Sequence, residues 1–186
     1  MLETELKCII TEDIYEKIKS EFDWNSAAEQ INHYYTDEER ELRKKRIMVR
    51  VREKNGTKKL QIKLHKNADS PLQICEETEA CIDDVPKIIK SEMIKNAVGI
   101  DCGDLSYMGS SATLRHSLMW NKDTEICLDR TTYFNETDYE IEIEYVGEAD
   151  KKLLDKLSDM GVSFDKSSVG KFSRFLNKYD KIKDIN

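Results

Sequence analysis

Four pairs of like charges, each two residues apart, constrain this chain more than any other feature: Glu3/Glu5, Arg50/Arg52, Glu77/Glu79 and Glu140/Glu142. Each pair sits in a stretch that alternates with other residue types, the period of a β-strand with two unlike faces. At that period both charges of a pair project on the same side, about 7 Å apart. Like charges at such a spacing are unfavourable without a counter-charge nearby. A lone antiparallel strand turns a face of this kind to water, but the set is sorted by sign. The stretches around 50–52 and 59–63 present Arg50, Arg52, Lys59 and Lys63, whereas those around 77–79 and 140–144 present only carboxylates.

The rest of the chain fits around these strands. Alternation predicts strands over 2–10, 47–52, 59–65, 72–82, 105–120, 125–131 and 137–146, with Asn55-Gly56 as a hairpin turn. Helices are predicted after Thr11, with Ile14, Ile18 and Phe22 as the apolar stripe; over 84–98, with Pro86 near the start and Gly99 past the end; and over 148–160, stopped by Gly161. Residues 36–46 form a charge run, and the final stretch carries Lys171 and Arg174. About seven or eight strands and three helices that do not alternate regularly indicate an antiparallel α+β fold, not a doubly wound sheet. With two prolines and no Gly/Ser/Pro tract, residues 1–186 are expected to form one domain.

The helices carry apolar stripes that need a surface, and the apolar strand faces supply one if they point outward. The charged faces then line the inside of a closed barrel, where about eight strands leave room for a small ligand. A polyphosphate with divalent cations suits such an interior: guanidinium and ammonium groups take phosphate oxygens, and carboxylates take Mg²⁺ or Mn²⁺.

Other classes are disfavoured. A net charge of −7 argues against bulk nucleic acid. No apolar run is long enough to cross a bilayer, and an acidic N-terminus does not read as a signal peptide. Five scattered cysteines without a CxxC, and three histidines far apart, do not suggest a zinc site; reduced, buried thiols in a cytoplasmic protein are expected. Of the histidines, only His65 falls in phase with the charged face.

The motifs resemble those of the CYTH family, the triphosphate tunnel metalloenzymes, and in particular its Gram-positive bacterial branch. Glu3-Thr4-Glu5-Leu6-Lys7 is similar to the family's ExExK signature. Arg43, Arg50 and Arg52 fall in an LR…RIR-like stretch, Lys63 lies on the return strand, and Glu77-Thr78-Glu79 follows. Leu114-Arg115, Leu128-Asp129 with Asp138-Tyr139-Glu140-Ile141-Glu142, and Lys171-Phe172-Ser173-Arg174-Phe175 complete the order. The segment 65–76 departs from the pattern.

The resemblance implies an eight-stranded antiparallel tunnel with helices outside, and Mg²⁺- or Mn²⁺-dependent chemistry on a small triphosphate. It assigns phosphate binding to Lys7, Arg50, Arg52, Lys63, Arg115, Lys171 and Arg174. It assigns metal binding to Glu3, Glu5, Glu77, Glu79, Glu140 and Glu142, with Glu144 able to replace one of the last pair and Asp129 a further candidate; Glu5 and Glu142 would also set up the attacking water. The expected reaction is hydrolysis of inorganic tripolyphosphate or an organic triphosphate such as thiamine triphosphate. The alternatives are a class IV-type adenylate cyclase and a non-catalytic polyphosphate- or nucleotide-binding module. The oligomeric state is not legible.

Overall fold

A computed structural model of the chain describes residues 2–65, 72–164 and 168–183, without the side chains of residues 2, 3, 72 and 73. In order, the elements are β1 (Leu2–Ile10), α1 (Glu12–Glu21), β2 (Ser26–Thr36), α2 (Glu41–Lys44), β3 (Ile47–Lys54), β4 (Thr57–His65), β5 (Leu72–Cys81), β6 (Ile88–Ile89), α3 (Ser91–Val98), β7 (Leu105–Asn121), β8 (Thr124–Tyr133), β9 (Glu136–Tyr145), α4 (Lys151–Asp159) and α5 (Lys171–Lys183). The strands pair in the order β2-β3-β4-β5-β1-β9-β8-β7, and β2 pairs again with β7, so eight antiparallel strands close into a barrel. β6 adds to β7 from outside the ring. Closure leaves the eight strands without a free edge.

Local chemistry explains the expected elements. Thr11 Oγ1 accepts from the Ile14 amide and starts α1, with Glu12 and Asp13 at the favourable end of the helix dipole. Asp150 caps α4 through the Leu153 amide at 3.1 Å. Asn55 and Gly56 both have positive φ, 51° and 73°, the backbone of a tight two-residue hairpin joining β3 to β4.

The apolar strand faces do point outward. Tyr15 and Ile18 of α1, Phe22 just past its end, and Leu153, Leu157 and Met160 of the α4 region pack on Ile10, Ile126, Leu128, Ile141 and Ile143. Leu42, Ile89 and Ile94 cover Val49, Val51, Leu60 and Ile62 on the other side. At one end α5 lays Phe175 and Leu176 against Tyr34, Met48, Met108 and Tyr133. There β7 carries an extra residue, Met108, opposite the Tyr34–Tyr35 step; by ordinary alternation along β2, Tyr34 meets the α5 cluster and Tyr35 the outer core. Gly109, at φ +143°, lies beside this bulge; a Cβ there would stand 3.2 Å from Phe175 Cζ, so only glycine lets the helix approach so closely.

The structure corrects the sequence reading in several places, the short helix α2 within the 36–46 charge run among them. Residues 26–36 are a strand; their inward residues Gln30 and Asn32 are uncharged and gave no alternation to see. The helix expected over 84–98 spans only Ser91–Val98 and is preceded by the two-residue β6. Pro86 lies ahead of it, its carbonyl accepting from Tyr35 Oη at 2.7 Å. Residues 171–183 form α5, which the sequence reading left unassigned. Cys81 is exposed, unlike the buried Cys75 and Cys127; all five cysteines are free.

Ile18 is fully buried between α1 and the barrel wall. Ile18→Ala should lower the unfolding free energy by about 2–5 kcal/mol, read from urea unfolding followed by far-UV circular dichroism.

Candidate active site in the barrel lumen

Register decides which charges meet. On β1, Glu5 stands opposite Glu144 of β9 and Lys7 opposite Glu142. On β8, Asp129 stands opposite both Glu140 and Arg115 of β7, and Glu125 opposite Glu144. On the other side, Arg50 stands opposite Gln61, Arg52 opposite Lys59, and Lys63 opposite both Met48 and Glu77. β3 and β9 lie halfway around the ring from each other, separated by β4, β5 and β1 in one direction and by β2, β7 and β8 in the other. The arginine strand therefore faces the glutamate strand across the lumen.

The acidic side is a connected network. Arg115 holds Asp129 with two parallel hydrogen bonds, at 2.8 and 2.7 Å, and also contacts Glu142. Lys171, the first residue of α5, reaches in to Asp129 at 2.9 Å, Glu140 at 2.5 Å and Glu142 at 2.6 Å. Arg174, one turn later, donates to Asp138 at 2.6 Å and Glu140 at 2.7 Å. Lys7 donates to Glu5 at 2.6 Å. Glu5, Glu142 and Glu144 each bring a carboxylate oxygen to within 4.8 Å of the others.

Burial sharpens these charges. Desolvation alone would raise Glu142; Lys171, Arg115 and Lys7 outweigh it and hold its carboxyl well below the usual range. Asp129 is likewise buried, and Arg115 and Lys171 hold it low. Glu140 goes the other way: burial, with the Glu142 carboxylate adding to it, pushes it up despite Lys171 and Arg174. Asp129, Glu140 and Glu142 push Lys171 up against its own burial.

The basic side is compensated unevenly. Lys63 pairs with Glu77 at 2.7 Å and Lys59 with Glu79 at 2.5 Å. Arg50 and Arg52 have no carboxylate at ion-pair distance among the described residues; their Nε atoms donate instead to Gln61 Oε1 and Asn32 Oδ1. Burial, then Arg50 and Arg115, push Arg52 down to about 9, so it is still protonated at neutral pH but in want of an anion.

A cavity of about 700 Å³ runs between the two sides. Of the residues predicted as phosphate ligands, Lys7, Arg50, Arg52, Lys63, Arg115 and Lys171 line it, and Arg174 stands behind, against Asp138 and Glu140. Of the predicted metal ligands, Glu5, Glu77, Glu79, Glu142 and Glu144 line it. Asp129 and Glu140 are buried in the wall behind Lys171. The Glu3 side chain lies outside the described residues. His65 also lines the cavity, as its phase suggested, with Nδ1 at 3.1 Å from Cys75 Sγ. Sequence reasoning missed Asn32, Gln30 and Arg46. Arg46 ends the 36–46 charge run, where nothing singled it out, and nothing marked the two amides because they carry no charge. Gln61, between Lys59 and Lys63 and in phase with them, also lines the cavity.

Known proteins with this arrangement can be compared. The CYTH domain model matches residues 1–176. A Bacillus subtilis (strain 168) protein, provisionally named triphosphatase YjbK, is 32% identical over 173 residues, covering 84% of this chain and 87% of that one. Two solved structures share the fold. One is a Hippeastrum protein provisionally called an adenylyl cyclase and described as revealing a dominant triphosphatase activity; it superposes with a TM-score of 0.78 at 22% identity, over 95% of this chain and 96% of the other. A Bacillus halodurans protein provisionally called an adenylate cyclase gives 0.72 at 21% identity, over 93% and 96%. On the extent of the domain match and the identity to the B. subtilis protein, this chain belongs to the CYTH family.

Proposed function

We propose that this chain hydrolyses a small linear triphosphate with Mg²⁺ or Mn²⁺, and that inorganic tripolyphosphate or an organic triphosphate such as thiamine triphosphate is its substrate. The observation that carries this reading is the polarised lumen: two guanidiniums that have no carboxylate at ion-pair distance among the described residues face a three-carboxylate cluster across one cavity. The provisional name of the B. subtilis relative and the activity described for the Hippeastrum protein support it.

In this reading Arg50, Arg52 and Lys63 take phosphate oxygens from the basic side, Arg115, Lys7 and Lys171 both approach phosphate and fix the charge of the acidic side, and Arg174, behind the lining, acts through Asp138 and Glu140. Glu5, Glu142 and Glu144 fit a hard divalent cation, since the set is all oxygen and its three carboxylates already converge. Mg²⁺ or Mn²⁺, when bound, supplies positive charge against the phosphate oxygens and orders water beside them. Glu142 stays ionised because its cationic neighbours hold it so. Glu5 accepts a proton from the attacking water, whose oxygen bonds to the terminal phosphorus as the bridging P–O bond breaks. The negative charge of the departing diphosphate is met by the guanidiniums of β3.

Purified protein with Mg²⁺ or Mn²⁺ should release phosphate from tripolyphosphate, and chelation should abolish release. Arg52→Ala and Glu5→Gln should each lower kcat/KM on the order of 100-fold, measured across tripolyphosphate, thiamine triphosphate, ATP and GTP with product identification. Cyclic AMP with pyrophosphate as the products from ATP would replace this reading with a cyclase. Tight metal-dependent binding without any product would replace it with a binding module.

The acidic network also sets a pH dependence in the metal-free protein. Because Glu142 is held below its unfolded value, its stabilisation is complete above the ordinary carboxylate range, and it is lost as pH falls through the depressed folded value. Glu142→Gln leaves Lys171 and Arg115 short of a partner and should cost about 3–5 kcal/mol near pH 7. That deficit should shrink as pH falls below about 4, where wild type itself loses the ion pairs. Urea unfolding of both proteins at a series of pH values checks this; a deficit that stays constant with pH would contradict it.

A further inference from the structure

Two uncharged side chains hold the guanidiniums of β3. Asn32 stands opposite Arg52 across the β2–β3 register and accepts from its Nε at 2.9 Å. Gln61 stands opposite Arg50 across the β3–β4 register and accepts from its Nε at 2.8 Å. Three other lumenal cations have a carboxylate at the equivalent cross-strand position: Lys7 faces Glu142, Lys63 faces Glu77, and Arg115 faces Asp129. Lys59 of β4 faces Arg52 and Cys81 but still reaches Glu79, whereas Arg50 and Arg52 of β3 have no carboxylate at ion-pair distance among the described residues.

The geometry would accept a carboxylate at either place. Glu is close in shape to Gln, and Asp to Asn, and an ionised oxygen would bind an arginine Nε more strongly than an amide oxygen does. The Asn32 amide even carries a penalty: its Nδ2 is buried and has no hydrogen-bond partner among the described residues. Asp at that position would remove the orphan donor and add an ion pair. On the other flank, Glu79 reaches Arg50 only through Gln61, whose Nε2 donates to Glu79 Oε2 at 3.1 Å. Glu77 is close enough to feel both Arg50 and Arg52, and Glu79 to feel Arg52, but the ion pairs these carboxylates make are with Lys63 and Lys59.

We propose that Asn32 and Gln61 are positioning residues that fix Arg52 and Arg50 by Nε while leaving both guanidiniums without a directly paired carboxylate, so that their charge and their outer nitrogens are reserved for phosphate oxygens. A guanidinium held at Nε by a neutral acceptor has its plane set while its two Nη groups remain available, the fork that recognises phosphate with paired hydrogen bonds. A carboxylate at the same place would set the plane equally well and cancel the charge. The phosphate ligand rests on the triphosphate reading above; the orientation and the missing counter-charge do not.

The test compares wild type with Gln61→Glu, Asn32→Asp and the uncharged Gln61→Met. Each is titrated calorimetrically with tripolyphosphate in the presence of Mg²⁺, with pyrophosphate as a second probe, and assayed for kcat and KM. Gln61→Glu and Asn32→Asp should bind tripolyphosphate roughly 10- to 100-fold more weakly, with KM rising by more than kcat falls. Gln61→Met, which loses the acceptor but adds no charge, should lose less than Gln61→Glu. In thermal unfolding without ligand, Asn32→Asp should match or exceed wild type. Wild-type affinity in the acidic variants, an equal loss in Gln61→Met, or a lower melting temperature for Asn32→Asp would each overturn the proposal. Failure of the triphosphate reading has a different signature: wild type itself then binds neither probe, while the thermal comparison still decides whether Arg52 lacks a counter-charge.

Discussion

Closing eight two-faced strands into a ring forces every inward side chain into one volume, and in this chain most of those side chains are charged. Once β2 pairs with β7, no edge remains through which the charged faces could turn to water. The charges must then be balanced by one another, by a ligand, or both. Register does most of this work: the directly opposed pairs Lys7–Glu142, Lys63–Glu77 and Arg115–Asp129 place opposite signs at cross-strand distance without any long side chain having to search for a partner.

The balance is incomplete on one strand, and the two sides of the lumen differ in kind because of it. Around β8 and β9 the carboxylates share Arg115, Lys171 and Arg174, and desolvation magnifies the coupling until Glu140 and Glu142 are driven in opposite directions. On β3, Arg50 and Arg52 have neutral acceptors at Nε and, among the described residues, no carboxylate at ion-pair distance. A buried like-charge pair without a counter-ion is unfavourable for folding, so the fold bears that cost at this strand.

The outer surface makes this tolerable. Because the apolar faces point away from the lumen, the hydrophobic core is not inside the barrel but between the barrel and its helices: α1 and α4 on one flank, α2, β6 and α3 on another. The core that stabilises the fold and the cavity that holds the charges are thus separate, and the lumen need not be packed to contribute stability. α5 joins the two. Its apolar side rests on Tyr34, Met48 and Tyr133, while its first residue inserts an ammonium among three carboxylates.

The sequence by itself determined the strand faces and the closed barrel they imply, because period-two alternation and sign sorting are properties of neighbouring residues. The i, i+2 pairs, the Thr11 cap, the Asn55-Gly56 turn and the family motifs were all legible in that local sense. The structure alone decided what depends on register between distant strands. Nothing in the spacing of Glu140, Glu142 and Glu144 says that the last two converge with Glu5 while the first is taken by Lys171 and Arg174. The strand over 26–36 was hidden because its lumenal residues are amides and a tyrosine, with no charge to mark a face. α5 was legible as a helix, since Phe172, Phe175, Leu176 and Tyr179 recur at helical spacing on the side that packs; what no local pattern shows is that its N-terminus enters the barrel, about 30 residues along the chain from the carboxylates that Lys171 meets there. Local pattern fixes which way a side chain points; only the closed ring fixes what it points at.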